Sequence, residues 1–389
     1  MTKIIFVDIN ARYYNPTREL LPSLLALSTE LHLYGPGYVD SRTLKGGLRQ
    51  YLDRHAADLI VLTEYAAFAP LILAALRSGT SRLGTNLLFE WNPADFKFFD
   101  TLHDELKRID IPKVVTLLES DFYSMTPEQF QILQETFDYY IGFGTQFCRP
   151  IAELKHLRDE RFAKVATDLA FEFFTINNKR TANFTHFVSE TEFEWKPLAL
   201  RSNQWAVPGV LYARRARVAK CLRQSGRKVA TGRSKWGRLL YPWRRFNAVR
   251  SLGLNLYRDS FRKLLSDSRY VYTCGSGLNY PVRKYFEIPA AGCVLVATPC
   301  SGFSELGFVD CENVVVCEPQ QVNDVACWLE RNLDKAQNIA DSGRQLIATR
   351  HSVAARARQF ADTLAAMADR SFAGGRWVDG RYTVIRRKA

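Results

Sequence analysis

The sequence predicts an α/β protein of two domains, each built on a parallel β-sheet that helices cover on both faces. The 389 residues are too many for one ordinary hydrophobic core and suit two domains. Short apolar runs of strand length alternate with segments of helical periodicity in both halves of the chain, which is typical of parallel sheets. Ligands of such sheets bind outside the carboxyl ends of the strands, so the strand-to-loop junctions are where site residues are expected.

The first half contains five predicted strands: Lys3–Ile9, Leu31–Tyr34, Asp58–Leu62, Lys113–Leu118 and Tyr139–Phe143. Apolar residues at helical spacing predict helices between them, at Glu19–Glu30, Leu48–His55, Pro70–Arg77 and Pro127–Thr136. Residues 147–193 show no regular pattern, and we expect the first domain, residues 1–190, to end within them.

A second alternating series follows and predicts a second domain over residues 191–365, with residues 366–389 as a tail that has no clear pattern. Its predicted strands are Gln204–Val207, Lys228–Thr231, Ser268–Thr273, Cys293–Ala297 and Asn313–Cys317. Its predicted helices are Ala213–Gln224, Tyr257–Leu265, a short helix that ends at Gly292, Val322–Asn332, Lys335–Thr349 and Val353–Asp369. The short helix is expected to start near Phe286, because Pro289 is tolerated only in a first turn.

The composition argues against a membrane-spanning or metal-binding protein. No apolar run reaches the roughly 18 residues of a spanning helix, and the run at residues 4–7 is too short for a signal peptide. We therefore expect a cytoplasmic protein, with peripheral contact at the inner face of the membrane as an open alternative. The eight cysteines form no Cys-x-x-Cys pair, so reduced thiols are expected, and neither a metal nor another cofactor is predicted.

Positive charge is concentrated in one segment. Between Arg214 and Arg250 the sequence has thirteen Lys or Arg and no Asp or Glu, which equals the net charge of +13 of the whole chain. Such a segment implies an anionic partner: a nucleoside or lipid diphosphate, an anionic membrane surface or nucleic acid. Interleaved aromatic residues suit a membrane interface or a stacking site. Nucleic acid is not the predicted partner, because no helix-turn-helix, zinc or RNP-type signature accompanies the charge.

The richest segment in site candidates is Tyr272–Phe308. A predicted strand ends there in a glycine turn whose main-chain amides could approach a phosphate. Two adjacent cations at a helix start could bind a diphosphate, and a helix carboxylate could accept two hydrogen bonds from a ribose diol. A glycine loop with a glutamate follows the next strand. In order, these candidates are Gly275, Ser276, Arg283, Lys284, Glu287, Gly302 and Glu305.

A second candidate segment opens the second domain at a strand–glycine–helix junction. Its candidates are Gly209, Tyr212, Arg214 and Arg215, of which either arginine could bind a diphosphate. Each candidate in both segments also has a purely structural interpretation, as a turn glycine, a helix-start cation or a solvated carboxylate.

The sequence of these segments resembles that of a known family. The stretch FEIPAAGCVLVAT at residues 286–298, followed by SGFSE at 301–305, resembles the donor-binding region of GT-B glycosyltransferases. RKYFEIPAAG together with RHSVAARA at residues 350–357 is similar to the CgeB-like type of glycosyl transferases group 1 domain. The resemblance covers residues 205–362, whereas the first domain is similar in layout only.

The resemblance implies a GT-B fold, with two Rossmann-like domains facing a central cleft. The first domain would bind the acceptor, and the second would bind a nucleotide-sugar such as a UDP or GDP derivative, often with no tightly held metal. The acceptor could be a glycan, a glycolipid or a protein, and cell-surface glycan synthesis is the expected setting. Glu287 resembles the glutamate that binds the nucleotide ribose. Asn279 stands where the family has a second glutamate, which leaves the donor sugar open, as well as whether its anomeric configuration is retained or inverted.

An inverting reaction needs a base that activates the acceptor hydroxyl. Asp8, Glu119 and Asp121 each follow a predicted strand of the first domain, at the edge that would line the cleft, and each could equally be a loop acid or a helix cap. A retaining reaction would need no such base. Two further function classes stay open: a non-catalytic module with the GT-B fold, and a nucleic-acid-binding protein that uses the basic segment.

Overall fold

The structure is a computed structural model that describes residues 1–10, 16–68, 71, 101–118, 125–143, 168–209, 211, 213–231, 247–275 and 279–388. The predicted helix Pro70–Arg77 therefore lies almost wholly outside the described residues. Residues 147–167 and the second part of the basic segment, residues 232–246, also lie outside them.

The first sheet has six parallel strands in the order β2-β1-β3-β4-β5-β6. They are β1 (Lys3–Val7), β2 (Glu30–Tyr34), β3 (Leu59–Thr63), β4 (Lys113–Leu117), β5 (Tyr139–Phe143) and β6 (Thr181–Phe184). The five predicted strands are confirmed to within two residues at either end. The strand β6 was not predicted, because its sequence TANF is short and half polar, and its burial comes from neighbours that are distant in sequence.

Helices cover this sheet on both faces. Those described in the first part of the chain are α1 (Pro16–Glu19), α2 (Leu21–Ser28), α3 (Ser41–Lys45), α4 (Gly47–Leu52), α5 (Leu102–Lys107), α6 (Pro127–Thr136) and α7 (Asp168–Ile176). Alternate residues of the central strands enter two separate cores: Ile4 and Phe6 belong to one, and Ile5 and Val7 to the other. A strand that is buried on both faces explains why β1 reads as a continuous apolar run.

The second sheet has five parallel strands in the order β11-β10-β9-β7-β8. They are β7 (Asn203–Ala206), β8 (Val229–Ala230), β9 (Ser268–Thr273), β10 (Val294–Ala297) and β11 (Val315–Val316). Its helices are α8 (Ala213–Gln224), α9 (Asn247–Asp267), α10 (Lys284–Ala290), α11 (Val322–Arg331) and α12 (Leu333–Leu346). Two parallel α/β sheets confirm the predicted fold class.

The chain then returns to the first domain. A π-helical turn (Ile347–His351) leads into α13 (Val353–Ala368), which packs against α2 and β3. A two-stranded antiparallel hairpin follows, made of β12 (Phe372–Val378) and β13 (Arg381–Arg386). Trp377 Nε1 donates a hydrogen bond to the Asn183 carbonyl of β6 at 2.6 Å, and the Asn183 amide donates one to the Tyr382 hydroxyl at 3.3 Å. The segment without a clear sequence pattern is thus an ordered hairpin on the edge of the first sheet.

Across the described residues, no helix is both long enough and apolar enough to cross a bilayer.

Candidate functional site

His186, which follows β6, lies within electrostatic reach of two cations of the second domain. The side chain is buried, and a 2.9 Å hydrogen bond joins its Nδ1 to the hydroxyl of Thr17. Burial and the nearby charges of Arg283 and Lys284, at the start of α10, lower the pKa of His186 to about 3. The imidazole is therefore neutral, and His186 of the first domain interacts electrostatically with Arg283 and Lys284 of the second.

Arg283 forms an ion-paired bridge within the site. Its guanidinium donates to both carboxylate oxygens of Glu192, at 2.6 and 2.8 Å, and to Oε1 of Glu287 one helical turn along. Glu192 lies in the segment that connects the two domains, where its carboxylate also accepts from the Ser189 amide at 2.7 Å. Glu287 is thereby fixed in position with only 12% of its side chain exposed.

Lys284 points into a different environment from its neighbour Arg283. A Cβ added at Gly209 would lie 3.0 Å from Lys284 Cε, 3.2 Å from its Nζ and 3.5 Å from Nη1 of Arg215. Gly209 has a φ of +89°, which also favours glycine. Burial, together with the charges of Arg215 and Arg283, lowers the pKa of Lys284 to about 8 although Glu287 acts in the opposite direction.

Arg215 is buried beside Gly209 and Lys284 and forms hydrogen bonds with the end of β9. Its Nη2 donates to Thr273 Oγ1 at 3.2 Å and to the Cys274 carbonyl at 3.0 Å. Arg214, the next residue in sequence, is exposed and lies elsewhere. It lines a pocket of about 290 Å³ with Ala213, Arg217, Glu318, Pro319 and Gln320. The structure therefore places Arg215, but not Arg214, beside Lys284 and Gly209.

Gly275 lies in a tightly packed turn two residues after the end of β9. A Cβ on Gly275 would lie 2.7 Å from the Cβ of Cys300 and about 3 Å from the backbone of Asn279, so the glycine permits two loops to touch. Asn279 has a φ of +53°, and its carbonyl accepts from the Ser301 amide at 2.9 Å. Its side-chain oxygen is buried without a hydrogen-bond partner among the described residues. Ser276 and Tyr212 lie outside the described residues.

The glycine loop after β10 is compact. Gly302 is buried with a φ of +76°, and its carbonyl accepts from the Leu306 amide at 3.0 Å. Glu305 is exposed, and its own carbonyl accepts from the Gly380 amide of the hairpin turn at 2.9 Å. This contact ties the loop to the C-terminal hairpin.

The helix that carries Glu287 begins earlier than expected. The position of Pro289 predicted a start near Phe286, whereas α10 begins at Lys284 and contains Pro289 in its last turn. With only seven residues in the helix, the proline removes a single late hydrogen bond. Gly292 follows with a φ of +69°, as predicted for the residue that ends this helix.

Of the three candidate bases, only Asp8 is among the described residues. It is buried after β1, and its Oδ1 accepts from the Thr63 hydroxyl at 2.7 Å. Its charge acts on Tyr38, whose pKa is raised mainly by burial and further by Asp8. Glu119 and Asp121 lie outside the described residues, so their role stays a prediction.

Sequence reasoning missed His186, Thr17 and Glu192. His186 would have been a candidate if β6 had been recognised, because it lies two residues beyond the carboxyl end of that strand. The S-E-T-E sequence at residues 189–192 is a capping box, which marks a turn but gives no sign of the pairing with Arg283.

Comparisons with known proteins agree with this architecture. Residues 214–362 match the model of the family described as Glycosyl transferase-like. The crystal structure of Anabaena Alr3699/HepE in complex with UDP and glucose superposes with a TM-score of 0.51 at 14% identity, covering 94% of this chain and 100% of that one. A glycosyltransferase from Rickettsia africae ESF-5 superposes with a TM-score of 0.51 at 12% identity, covering 94% and 98% of the two chains. No curated protein sequence matches.

The likeness to these solved structures extends over both domains and so confirms the predicted arrangement of two Rossmann-like domains. The family match falls on the domain in which the sequence predicted donor binding. The CgeB-like subtype stays a prediction. The chain therefore has the two-domain fold of these solved structures, and its residues 214–362 match the family model described as Glycosyl transferase-like.

Proposed function

We propose that this protein is a glycosyltransferase that takes its sugar from a nucleoside diphosphate, and that the diphosphate binds beside Gly209, Arg215 and Lys284. The observation that carries the proposal is Lys284. It is a partly buried cation beside another cation, and the described residues form no ion pair with it. Placing two cations together costs free energy that an anion between them would recover.

The other residues have complementary roles in this proposal. The free oxygen of the Glu287 carboxylate would accept hydrogen bonds from the ribose hydroxyls, while Arg283 fixes the other oxygen. Lys284 and Arg215 would stabilise the negative charge that develops on the diphosphate as the sugar departs. HepE from Anabaena, which has a similar fold, was crystallised with UDP, and this supports a UDP-type donor.

The acceptor would bind to the first domain, residues 1–190, opposite the donor domain at residues 191–365. A glycan, glycolipid or protein hydroxyl is the proposed acceptor, with Asp8, Glu119 or Asp121 as the base if the reaction inverts configuration. Exposed cations on α8, among them Arg214, Arg217 and Lys220, support peripheral contact with an anionic membrane.

Titration calorimetry with UDP, GDP, uridine and orthophosphate tests the proposal. We expect one nucleoside diphosphate to bind with a dissociation constant between the micromolar and millimolar ranges. Uridine should bind more weakly, because it lacks the charges that Lys284 and Arg215 would contact. If no nucleotide releases heat or raises the melting temperature, the proposed donor site is wrong.

Nucleotide affinity is expected to fall as the pH rises through about 8. Only the protonated form of Lys284 attracts the diphosphate, and its pKa of about 8 in the free enzyme should rise when the anion binds. Binding is therefore strongest below pH 8 and weakens above it, by at most about tenfold per pH unit. Calorimetry in two buffers with different ionisation enthalpies should show proton uptake near pH 8. A flat profile between about pH 7 and 9.5 would exclude Lys284 from the site.

A further inference from the structure

Arg356 is a fully buried cation at the junction of the two domains. Its guanidinium donates to Thr185 Oγ1 at 2.6 Å, just beyond β6, and to Gln359 Oε1 at 2.9 Å. It lies 4.2 Å from the ring centroid of Trp377 in the hairpin. No carboxylate among the described residues pairs with it, so its charge is balanced only by neutral dipoles and a π face, at a cost in folding free energy.

The same guanidinium donates to Nδ1 of His351, which is also fully buried. Because Nδ1 accepts, the ring proton is on Nε2, and Nε2 donates to the Leu306 carbonyl at 2.9 Å. Burial and the adjacent Arg356 keep the pKa of His351 well below its usual value, so the ring stays neutral in this role. A continuous chain of contacts thus runs from Thr185 through Arg356 and His351 to Leu306.

His351 lies where the polypeptide crosses between the domains for the second time. Its carbonyl accepts from the Val188 amide at 3.2 Å, and the Val188 carbonyl accepts from the Val353 amide at 2.9 Å. The two crossing segments are therefore paired with each other. The π-helical turn that ends at His351 is a local irregularity of the kind often found at functional sites.

We propose that Arg356 and His351 are positioning residues that couple the interdomain crossing to the Ser301–Leu306 loop, and so set the loop for the donor. The inference rests on the proposed donor site, since Gly302 and Glu305 of this loop are its candidate contacts. Within the loop, the Leu306 amide donates a hydrogen bond to the Gly302 carbonyl. The hydrogen bond from His351 to the Leu306 carbonyl therefore restrains the position of the whole turn. A change in the angle between the domains would reach the loop through these two side chains.

The matched variants His351→Gln and His351→Asn separate this role from a general contribution to stability. A glutamine amide nitrogen occupies the place of Nε2 and can still donate to Leu306, whereas asparagine reaches only the place of Nδ1. Thr363→Val serves as the control. Thr363 lies on α13, the helix that carries Arg356, and the substitution removes the hydrogen bond from its buried hydroxyl to the Gln359 carbonyl at 2.8 Å.

We expect the Asn variant to weaken UDP binding, measured by titration calorimetry, at least tenfold and to increase amide hydrogen exchange across residues 302–308 about fivefold. The Gln variant should stay within about threefold of wild type in both measurements. Thr363→Val should resemble wild type when the two proteins are compared under conditions that give them the same free energy of unfolding. Equal effects of Gln and Asn, or unchanged exchange in the Asn variant, would overturn the inference. Absence of nucleotide binding by the wild-type enzyme would instead overturn the donor site, and the exchange comparison would still test the coupling.

Discussion

Replacing Lys284 with methionine is expected to weaken nucleoside diphosphate binding by about 2 kcal/mol, or roughly 30-fold. Methionine fills most of the same space beside Gly209 but supplies neither charge nor a hydrogen-bond donor. The loss should be similar for any nucleotide with the same diphosphate, because Lys284 lies beside Arg215 and Gly209 rather than in a base-binding pocket. Calorimetry at about pH 7 measures the change directly.

Lys263→Met is the matched control for that experiment. Lys263 is exposed on α9, so its removal subtracts the same charge from the protein without changing the site. It should leave nucleotide affinity within about twofold, since exposed charges are screened by salt. The Lys284→Met variant should also lose the decline in affinity above pH 8. Equal affinities of the two variants would show that net charge, and not the position of Lys284, attracts the nucleotide.

Replacing Arg283 with leucine is expected to destabilise the fold by about 3 kcal/mol, at the low end for a broken buried ion pair. The variant leaves two carboxylates, those of Glu192 and Glu287, close together without their shared cation. The low end applies because 21% of the Glu192 side chain is exposed and water can stabilise part of its charge. Urea denaturation followed by circular dichroism gives the free energy of unfolding.

A second substitution shows whether the uncompensated charge causes the loss. Arg283→Leu combined with Glu287→Gln should recover part of the stability, because glutamine has the same shape without the charge. Arg370→Leu is the control, since it breaks an ion pair with Asp110 in which 54% and 102% of the side chains are exposed, and it should change stability by less than about 0.5 kcal/mol. A double variant less stable than Arg283→Leu would contradict this account.

The sequence predicted the fold well wherever burial depends on the strand itself. The strands β1, β5 and β10 are mainly apolar runs buried on both faces, so their signal is local. The helix α9 was predicted only from Tyr257, although it begins at Asn247. Its first residues lie in the basic segment, where frequent polar residues interrupt the helical spacing of apolar residues. The strand β6 and the hairpin were missed because Trp377 and Tyr382 bury against residues that are almost 200 positions away.

Site prediction from sequence could not separate neighbouring residues. Arg283 and Lys284 are adjacent, yet one is neutralised by two glutamates while the other faces Gly209 and Arg215. Arg214 and Arg215 differ in the same way, because Arg214 is exposed and Arg215 is buried. Successive helical residues point about 100° apart, so adjacent charges meet different surroundings. Which charge has a counter-ion is decided by tertiary contacts such as the one with Glu192.

The return of the chain to the first sheet has a consequence for how the protein acquires its structure. The edge strand β6 and the helix α2 are covered by α13 and the hairpin, which are encoded after the whole second domain. Neither half of the polypeptide, made separately, would contain all the surfaces that bury its own apolar residues. The first domain thus depends on segments that follow the second domain in sequence, and its sheet is fully covered only after the second domain has been synthesised.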